Sequence, residues 1–252
     1  MTADFIFGRE QEQAALAKRL AARRPLLIHG PAGVGKTLLV TAVLNDLSDF
    51  LYSPDSSTIH GVFRNIASRL WERRAPQLVK SFGRAGADAI KTKSAANLKG
   101  VLRDALHEGN YCLVLDHIRR PSYSFASTVR ELMGWCNTPV ITLARSAHME
   151  DTGFLQPFYP DRADRVELKN FDADVAECFA LAMAKRGGLS AQNMSDFLER
   201  VLEYSQGNPG AIVAMLEMAK HPQYRSDDRI KITPLYIDFR LNWTPVGVRS
   251  HK

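Results

Sequence analysis

The stretch Leu26-Leu27-Ile28-His29-Gly30-Pro31-Ala32-Gly33-Val34-Gly35-Lys36-Thr37 decides how this chain is read. Leu26-Leu27-Ile28 is apolar without alternation, which suits a short strand buried on both faces of a parallel sheet. The glycines that follow let the backbone turn with its N–H groups pointing inward. The loop then forms a concave anion nest where the next helix, roughly Lys36 to Leu47, begins. Residues 30–37 match the spacing G-x-x-x-x-G-K-[ST] in full. In that pattern Lys36 reaches the β and γ phosphates of a nucleotide and the Thr37 hydroxyl ligates Mg2+. A Gly-rich turn with no function is the competing reading. It leaves unexplained why the motif stands after an apolar strand and opens a helix.

Outward from this stretch, strand-like and helix-like segments alternate to about residue 170. Glu10 to Arg24 carries Leu16, Ala17, Leu20 and Ala21 on one helical stripe and ends at Pro25. Phe50-Leu51-Tyr52 reads as a strand and His60 to Glu72 as a helix. Residues 73–97, broken by Pro76 and rich in Lys, Gly and Ala, read as an exposed loop with one short helix at most. Leu98, Val101, Leu102, Ala105 and Leu106 mark an amphipathic helix. Tyr111 to Leu115 is a second buried strand ending at Asp116. A helix over Ser124 to Trp135 precedes a third strand, Pro139 to Leu143, and Arg165 to Leu168 is the last. Strands alternating with helices imply an α/β fold, a parallel sheet with helices on both faces. After Lys169 only helices follow: Asp172 to Lys185, Ser195 to Tyr204 and Pro209 to Lys220. The last residues, with Ile230-Lys231-Ile232 and Leu235-Tyr236-Ile237, read as a tail with short extended pieces.

The chain has 252 residues, 45% hydrophobic and 24% charged, with Lys+Arg 33 against Asp+Glu 27 and a formal net charge of +6. That composition excludes wholesale disorder and suits a large domain with an appendage. No apolar run approaches the ~20 residues of a membrane span, and Met1 to Phe5 lacks the shape of a secretory signal. Cys112, Cys136 and Cys178 are odd in number and form no C-x-x-C pair, so reduced, packed thiols and a cytoplasmic location are expected.

A phosphate cradle needs a metal partner at the tip of a neighbouring buried strand, and Asp116 is the candidate. Its alternative is a turn or cap residue. His117 follows where an acid that polarises water would be expected; it is either a base or a loop residue. At the end of the third strand, Thr142 and Arg145 either face a γ phosphate or are an ordinary strand threonine and a solvated arginine.

With these pieces in order, the sequence resembles the P-loop ATPases of the AAA+ superfamily and the related STAND signalling ATPases, nearest the initiator and archaeal-type branch. Phe7-Gly8-Arg9-Glu10, with Glu12, looks like the F-x-G-R-E-x-E entry motif, which packs over adenine in that family. Gly30 to Thr37 matches Walker A, Leu113 to Asp116 matches Walker B, and Thr142 to Arg145 resembles sensor 1. Gly207-Asn208-Pro209 looks like the G-x-P signature of the lid, where the proline approaches the nucleotide; Pro209 equally suits the first turn of a helix. The resemblance implies a five-stranded core with the sensor strand between the two Walker strands, over residues 1–170. A helical lid would cover 171–222 and the tail 223–252. It also implies ATP and Mg2+ as cofactors. Gly8, Arg9, Gly30, Pro31, Ala32, Gly33, Val34, Gly35, Lys36, Thr37, Leu38 and Pro209 would hold nucleotide. Thr37 and Asp116 would hold the metal, and Lys36, Asp116, Thr142 and Arg145 would act on the phosphates. His117 departs from the family's acid and argues for slow hydrolysis.

The resemblance further implies a molecular switch in which ATP state sets the lid angle and the assembly of a protein partner or homo-oligomer. Arg119, Arg120, Arg130 and Arg162 are candidates for an arginine offered to a neighbouring subunit. Two other readings stand beside it. One is a nucleic-acid-directed ATPase, using Arg64, Arg69, Arg73, Arg74, Lys80, Arg84, Lys91 and Lys93 together with basic and aromatic residues of the tail (Arg225, Arg229, Lys231, Arg240, Arg249 and Lys252 beside Tyr224, Tyr236, Phe239 and Trp243). The other is a nucleotide-binding scaffold without turnover. A GTPase is disfavoured by the absence of an N-K-x-D motif.

Overall fold

The computed structural model describes residues 7–22, 24–44, 50–83, 86–109, 111–135 and 140–243. Along the chain, α1 (Glu10–Ala21) leads to β1 (Leu26–His29), α2 (Lys36–Leu44) and β2 (Phe50–Ser53). Then come α3 (Ile59–Glu72), α4 (Pro76–Phe82), α5 (Gly86–Thr92), α6 (Ala95–Glu108), β3 (Cys112–Leu115) and α7 (Tyr123–Trp135). β4 (Val140–Ala144), α8 (Met149–Thr152) and β5 (Arg165–Glu167) follow. By backbone contacts the described chain divides into two units. The first comprises residues 10–30 and 36–167; the second comprises 7–9, 31–35 and 168–243.

The first unit is built on a five-stranded sheet of order β2-β3-β4-β1-β5, every pair parallel. β3 and β4 are buried at every position, as expected of strands covered on both faces. α3 starts where the Thr58 hydroxyl accepts from the Gly61 N–H, and it buries Val62, Phe63, Ile66, Ala67 and Leu70 at helical spacing. α6 is capped in the same way by Ser94 and buries Leu98, Leu102, Ala105 and Leu106. On the other side α1 packs with α2 and β5. The five-stranded order, with the sensor strand β4 between β1 and β3, is the one the resemblance implied.

Three stretches differ from the sequence expectation. Residues 73–97 are not an exposed loop: α4 and α5 occupy them and drive Leu78, Phe82 and Ile90 into the same core as α3 and α6. Two seven-residue helices interrupted at Gly83 give too few turns for a period to show. Residues 149–164, to which the sequence reading assigned no element, hold α8 and 3-10 turns over Gly153–Phe158 and Arg162–Asp164. Cys112 is buried, but Cys178 is exposed on the helix that follows β5, so packing covers only the first of these thiols; Cys136 lies outside the described residues.

The second unit is helical. α9 (Ala173–Arg186), α10 (Met194–Ser205) and α11 (Pro209–Met218) pack on one another. The third departure lies here. Instead of a tail with extended pieces, a 3-10 turn over Pro222–Tyr224, a two-residue hairpin of β6 (Arg225–Ser226) and β7 (Arg229–Ile230), and α12 (Ile232–Asn242) follow. Tyr224, Ile230, Leu235 and Phe239 join the core of α9–α11. Tyr236 stacks on Tyr204 at 3.7 Å between ring centroids, and Phe239 on Trp243 at 5.1 Å. The aromatic residues of this stretch are therefore occupied in packing. Arg249 and Lys252 lie outside the described residues. Among the described residues no helix is long and apolar enough to cross a membrane.

The link from α10 to α11 runs through Gln206 and Gly207, both with positive φ (49° and 73°). A Cβ on Gly207 would stand 2.1 Å from the carbonyl oxygen of Phe171, whose own N–H donates to the Gly207 carbonyl at 2.9 Å. Gly207→Ala is expected to lower stability by about 3 kcal/mol or more, the left-handed backbone penalty plus a backbone clash. Gly188→Ala, at φ 62° with nothing within 4 Å, is expected to cost only about 1 kcal/mol. Urea unfolding of both variants checks the difference.

Candidate nucleotide site

Because all strands of the sheet run one way, their C-terminal ends share one edge. β1 delivers Gly30 there, β3 delivers Asp116 and β4 delivers Arg145. The Gly30 N–H donates to the Arg145 carbonyl at 3.1 Å, which ties the start of the Gly-rich loop to the loop after β4. This is the edge at which open α/β sheets bind ligands.

Asp116 is buried, yet its carboxylate is richly bonded. Its Oδ2 accepts from the Thr37 hydroxyl at 2.6 Å and from the Tyr52 hydroxyl at 2.8 Å, and its Oδ1 accepts from the His117 N–H at 2.7 Å. A buried charge needs this kind of satisfaction. Burial first, and then the Asp116 charge, push the Tyr52 phenol far above its ordinary range, so it remains a donor. Tyr52, on β2 beside the Asp116 strand, is a site residue that sequence reasoning missed. The only signal was an aromatic near the end of an edge strand.

The ammonium of Lys36 donates to the Gly30 carbonyl at 2.7 Å. Its pKa is pushed down to about 8, first by burial and also by the Arg145 charge, against opposing pulls from Asp116 and Asp151. An ammonium so disfavoured gains from any anion placed beside it. Lys36, Thr37, Asp116 and Arg145 are thus brought together within the first unit. Thr142 is not. It is fully buried one rung below Asp116, in register with Leu115, and its hydroxyl accepts from the Tyr159 hydroxyl. His117 has φ 55°, and its Nδ1 lies 2.8 Å from the Pro54 carbonyl. A carbonyl only accepts, so that nitrogen carries a proton. Of the arginine candidates, Arg130 lies over the Phe158 ring at 4.9 Å, while Arg119, Arg120 and Arg162 are on exposed turns.

Within the second unit, Gly8 (φ 62°) leaves no room for a side chain: a Cβ would stand 2.9 Å from Val175 Cγ1. Arg9 is buried, with its guanidinium 4.6 Å over the Phe171 ring and its Nη2 donating to the Lys169 carbonyl at 2.5 Å. Phe7 packs on Phe171 and Phe179. Pro209 opens α11, whose cap Asn208 accepts from the Ala211 N–H. Residues 31–35 belong to this unit: Asn208 Nδ2 donates to the Ala32 carbonyl at 3.0 Å and the Gly210 N–H to the Gly33 carbonyl at 2.9 Å. A Cβ on Gly33 would come 2.7 Å from Asn208 Oδ1 and 3.3 Å from Trp243 Cζ2.

Residues 6–135, just over half of the chain, match the family model described as the AAA ATPase domain. The chain belongs to that family. The matched residues of the AAA ATPase domain include the whole Gly-rich loop, Tyr52 and Asp116. No curated protein matches the chain. Solved structures share its fold at low identity. The Walker-type ATPase PABY2304 of Pyrococcus abyssi is 20% identical with a TM-score of 0.57, over 84% of this chain and 67% of that one. The Aeropyrum pernix Orc1 protein, solved in complex with DNA, is 15% identical with a TM-score of 0.61, over 94% and 66%. A STAND protein with a tetratricopeptide repeat sensor from Pyrococcus horikoshii is 13% identical with a TM-score of 0.51, over 96% and 33%. The chain therefore spans about two thirds of the first two structures and one third of the last.

Hard oxygen donors, one hydroxyl and one carboxylate 2.6 Å apart beside a half-buried ammonium, are the set that Mg2+ with phosphates prefers. Thr37 and Asp116 fit that group. A double-mutant cycle of Tyr52→Phe and Asp116→Ala is expected to give a coupling free energy of about 1–2 kcal/mol in urea unfolding, as for a hydrogen bond to a charged group. A coupling near zero would mean that the Tyr52 hydroxyl does not hold the carboxylate.

Proposed function

We propose that this AAA ATPase domain binds ATP with Mg2+ through residues 30–38 and Asp116, hydrolyses it slowly, and works as a switch whose nucleotide state governs assembly with a protein partner or with further copies of itself. The observation that carries the reading is the 2.6 Å bond from Thr37 to Asp116, two residues 79 positions apart that meet beside Lys36. In this reading Lys36 and the loop N–H groups bind the phosphates, Thr37 and Asp116 hold Mg2+, and Arg145 faces the terminal phosphate. Bound Mg2+ would neutralise charge on the phosphate oxygens. Gly8, Arg9 and Pro209 stand with the nucleotide-binding set by resemblance to the family's entry and lid motifs.

Slow turnover rests on His117. Its Nδ1 is anchored at the Pro54 carbonyl, with Asp116 Oδ1 3.4 Å away, so Nε2 alone is left to take a proton from water, where the resemblance leads one to expect a carboxylate. His117→Glu is expected to raise the ATP turnover rate by about tenfold or more, measured by phosphate release. An unchanged rate would remove residue 117 from the account of slow hydrolysis.

Nucleotide binding is tested directly by titrating a fluorescent ATP analogue. Lys36→Ala is expected to weaken binding about 100-fold, the loss of a buried charge contact to phosphate. Asp116→Asn is expected to keep metal-free binding and to lose its enhancement by Mg2+. Unchanged binding by Lys36→Ala would refute the site. The same assay with and without DNA tests the nucleic-acid reading. Arg69, Arg73, Arg74, Lys80, Lys91 and Lys93 are exposed, but Arg69 pairs with Glu72 and Lys91 with Asp88, and Arg73 donates to the Phe50 carbonyl; Arg84 lies outside the described residues. Stimulation by DNA would favour a nucleic-acid-directed ATPase over the partner switch.

A further inference from the structure

The outward face of the Gly-rich loop is held by three different residues. Asn208 Nδ2 donates to the Ala32 carbonyl at 3.0 Å, the Gly210 N–H to the Gly33 carbonyl at 2.9 Å, and Arg9 Nη2 lies 3.5 Å from the Val34 carbonyl as a third, longer bond. In a trans peptide the carbonyl and the following N–H point in opposite directions. Fixing the carbonyls of residues 32, 33 and 34 therefore turns the following N–H groups away from the gripping residues; that of Val34 donates to the Pro31 carbonyl at 3.4 Å within the loop, so the anion-facing role falls to those of Gly33 and Gly35. Opposed carbonyls and N–H groups in a Gly-rich turn make an anion nest.

Asn208 is over-specified for its capping role. Ser, Thr or Asp would cap α11 as well, since the cap needs one acceptor oxygen. Asn208 uses that oxygen for the Ala211 N–H and spends its amide on Ala32 and on Asn170 Oδ1 at 3.1 Å, all while buried. Only asparagine offers the acceptor and both donors at this reach. Gly210 is constrained in a related way: a Cβ there would stand 2.8 Å from the Gly33 carbonyl oxygen and 2.9 Å from its Cα.

We infer that Asn208, assisted by Gly210 and Arg9, is a positioning residue for polyphosphate recognition, acting by orienting the N–H groups of the loop rather than by touching the ligand. The inference rests on the nucleotide reading above. It assigns to the residue between the glycine and proline of Gly207-Asn208-Pro209 a task apart from any approach of the proline to the nucleotide.

The test is direct binding of ATP and of inorganic tripolyphosphate to wild type, Asn208→Ser, Asn208→Asp and Lys36→Ala, with thermal melts of each. Ser keeps the cap oxygen and loses the amide. Asp keeps the shape and the cap while facing the Ala32 carbonyl with an acceptor, and it serves as the second variant if Ser does not fold. Asn208→Ser is expected to bind both ligands five- to tenfold more weakly, and Asn208→Asp more weakly still, each melting within a few degrees of wild type. Wild-type affinity for tripolyphosphate in both Asn208 variants, with Lys36→Ala impaired, would overturn the inference and leave the nucleotide site standing. Weaker binding that merely tracks a large fall in melting temperature would also overturn it, since that is a structural role. Failure of wild type to bind either ligand would sink the nucleotide reading and this inference with it.

Discussion

Parallel pairing is the constraint on which the rest of the first unit depends. When five strands run one way, every strand must be re-entered from the far end, so each connection crosses a face of the sheet and helices come to cover both faces. The same direction brings every strand's C-terminal end to one edge. With β4 inserted between β1 and β3, the loop after β1 and the carboxylate after β3 flank the loop after β4. The meeting of Thr37, Asp116, Lys36 and Arg145 follows from that order, not from any local attraction among them. The interior of the sheet then makes the charges costly, which is why Asp116 gathers three donors and the Lys36 ammonium is destabilised.

Much of this was legible because strands buried on both faces leave an unmistakable apolar run, and because phosphate chemistry demands glycines and a lysine at fixed spacing. Leu113-Val114-Leu115-Asp116 announced both a strand and its acid. The segments that misled share a different physics. Leu78, Phe82 and Ile90 belong to helices of seven residues, too short to establish a period, and their burial depends on α3 and α6 standing opposite. Leu235 to Ile237 has the composition of a strand, yet it lies in α12, where Leu235 and Phe239, four residues apart, face the core of α9–α11. Tertiary packing overrode local preference there.

Site residues divide along the same line. Those proposed to meet phosphate carry their chemistry in the sequence. Those that orient the first group do so through a register or a cap. Tyr52 reaches Asp116 only because β2 pairs with β3 with Tyr52 opposite Val114. Asn208 looked like helix punctuation beside Pro209, and its amide acquires meaning only once residues 31–35 are found beside it. Thr142 is the converse case. Its place in the sequence suited a group facing phosphate, but a hydroxyl one rung below the strand tip, in a sealed interior, bonds to whatever is there, and Tyr159 is there.

Trp243 gives this arrangement an optical side. Its indole packs on Phe239 and comes within a methyl group's reach of Gly33, the glycine whose carbonyl Gly210 holds. Indole emission is sensitive to the polarity and dipoles around the ring. One of the chain's three tryptophans is therefore a native, label-free fluorophore lying against the loop backbone, so a rearrangement of that backbone would change what surrounds the ring.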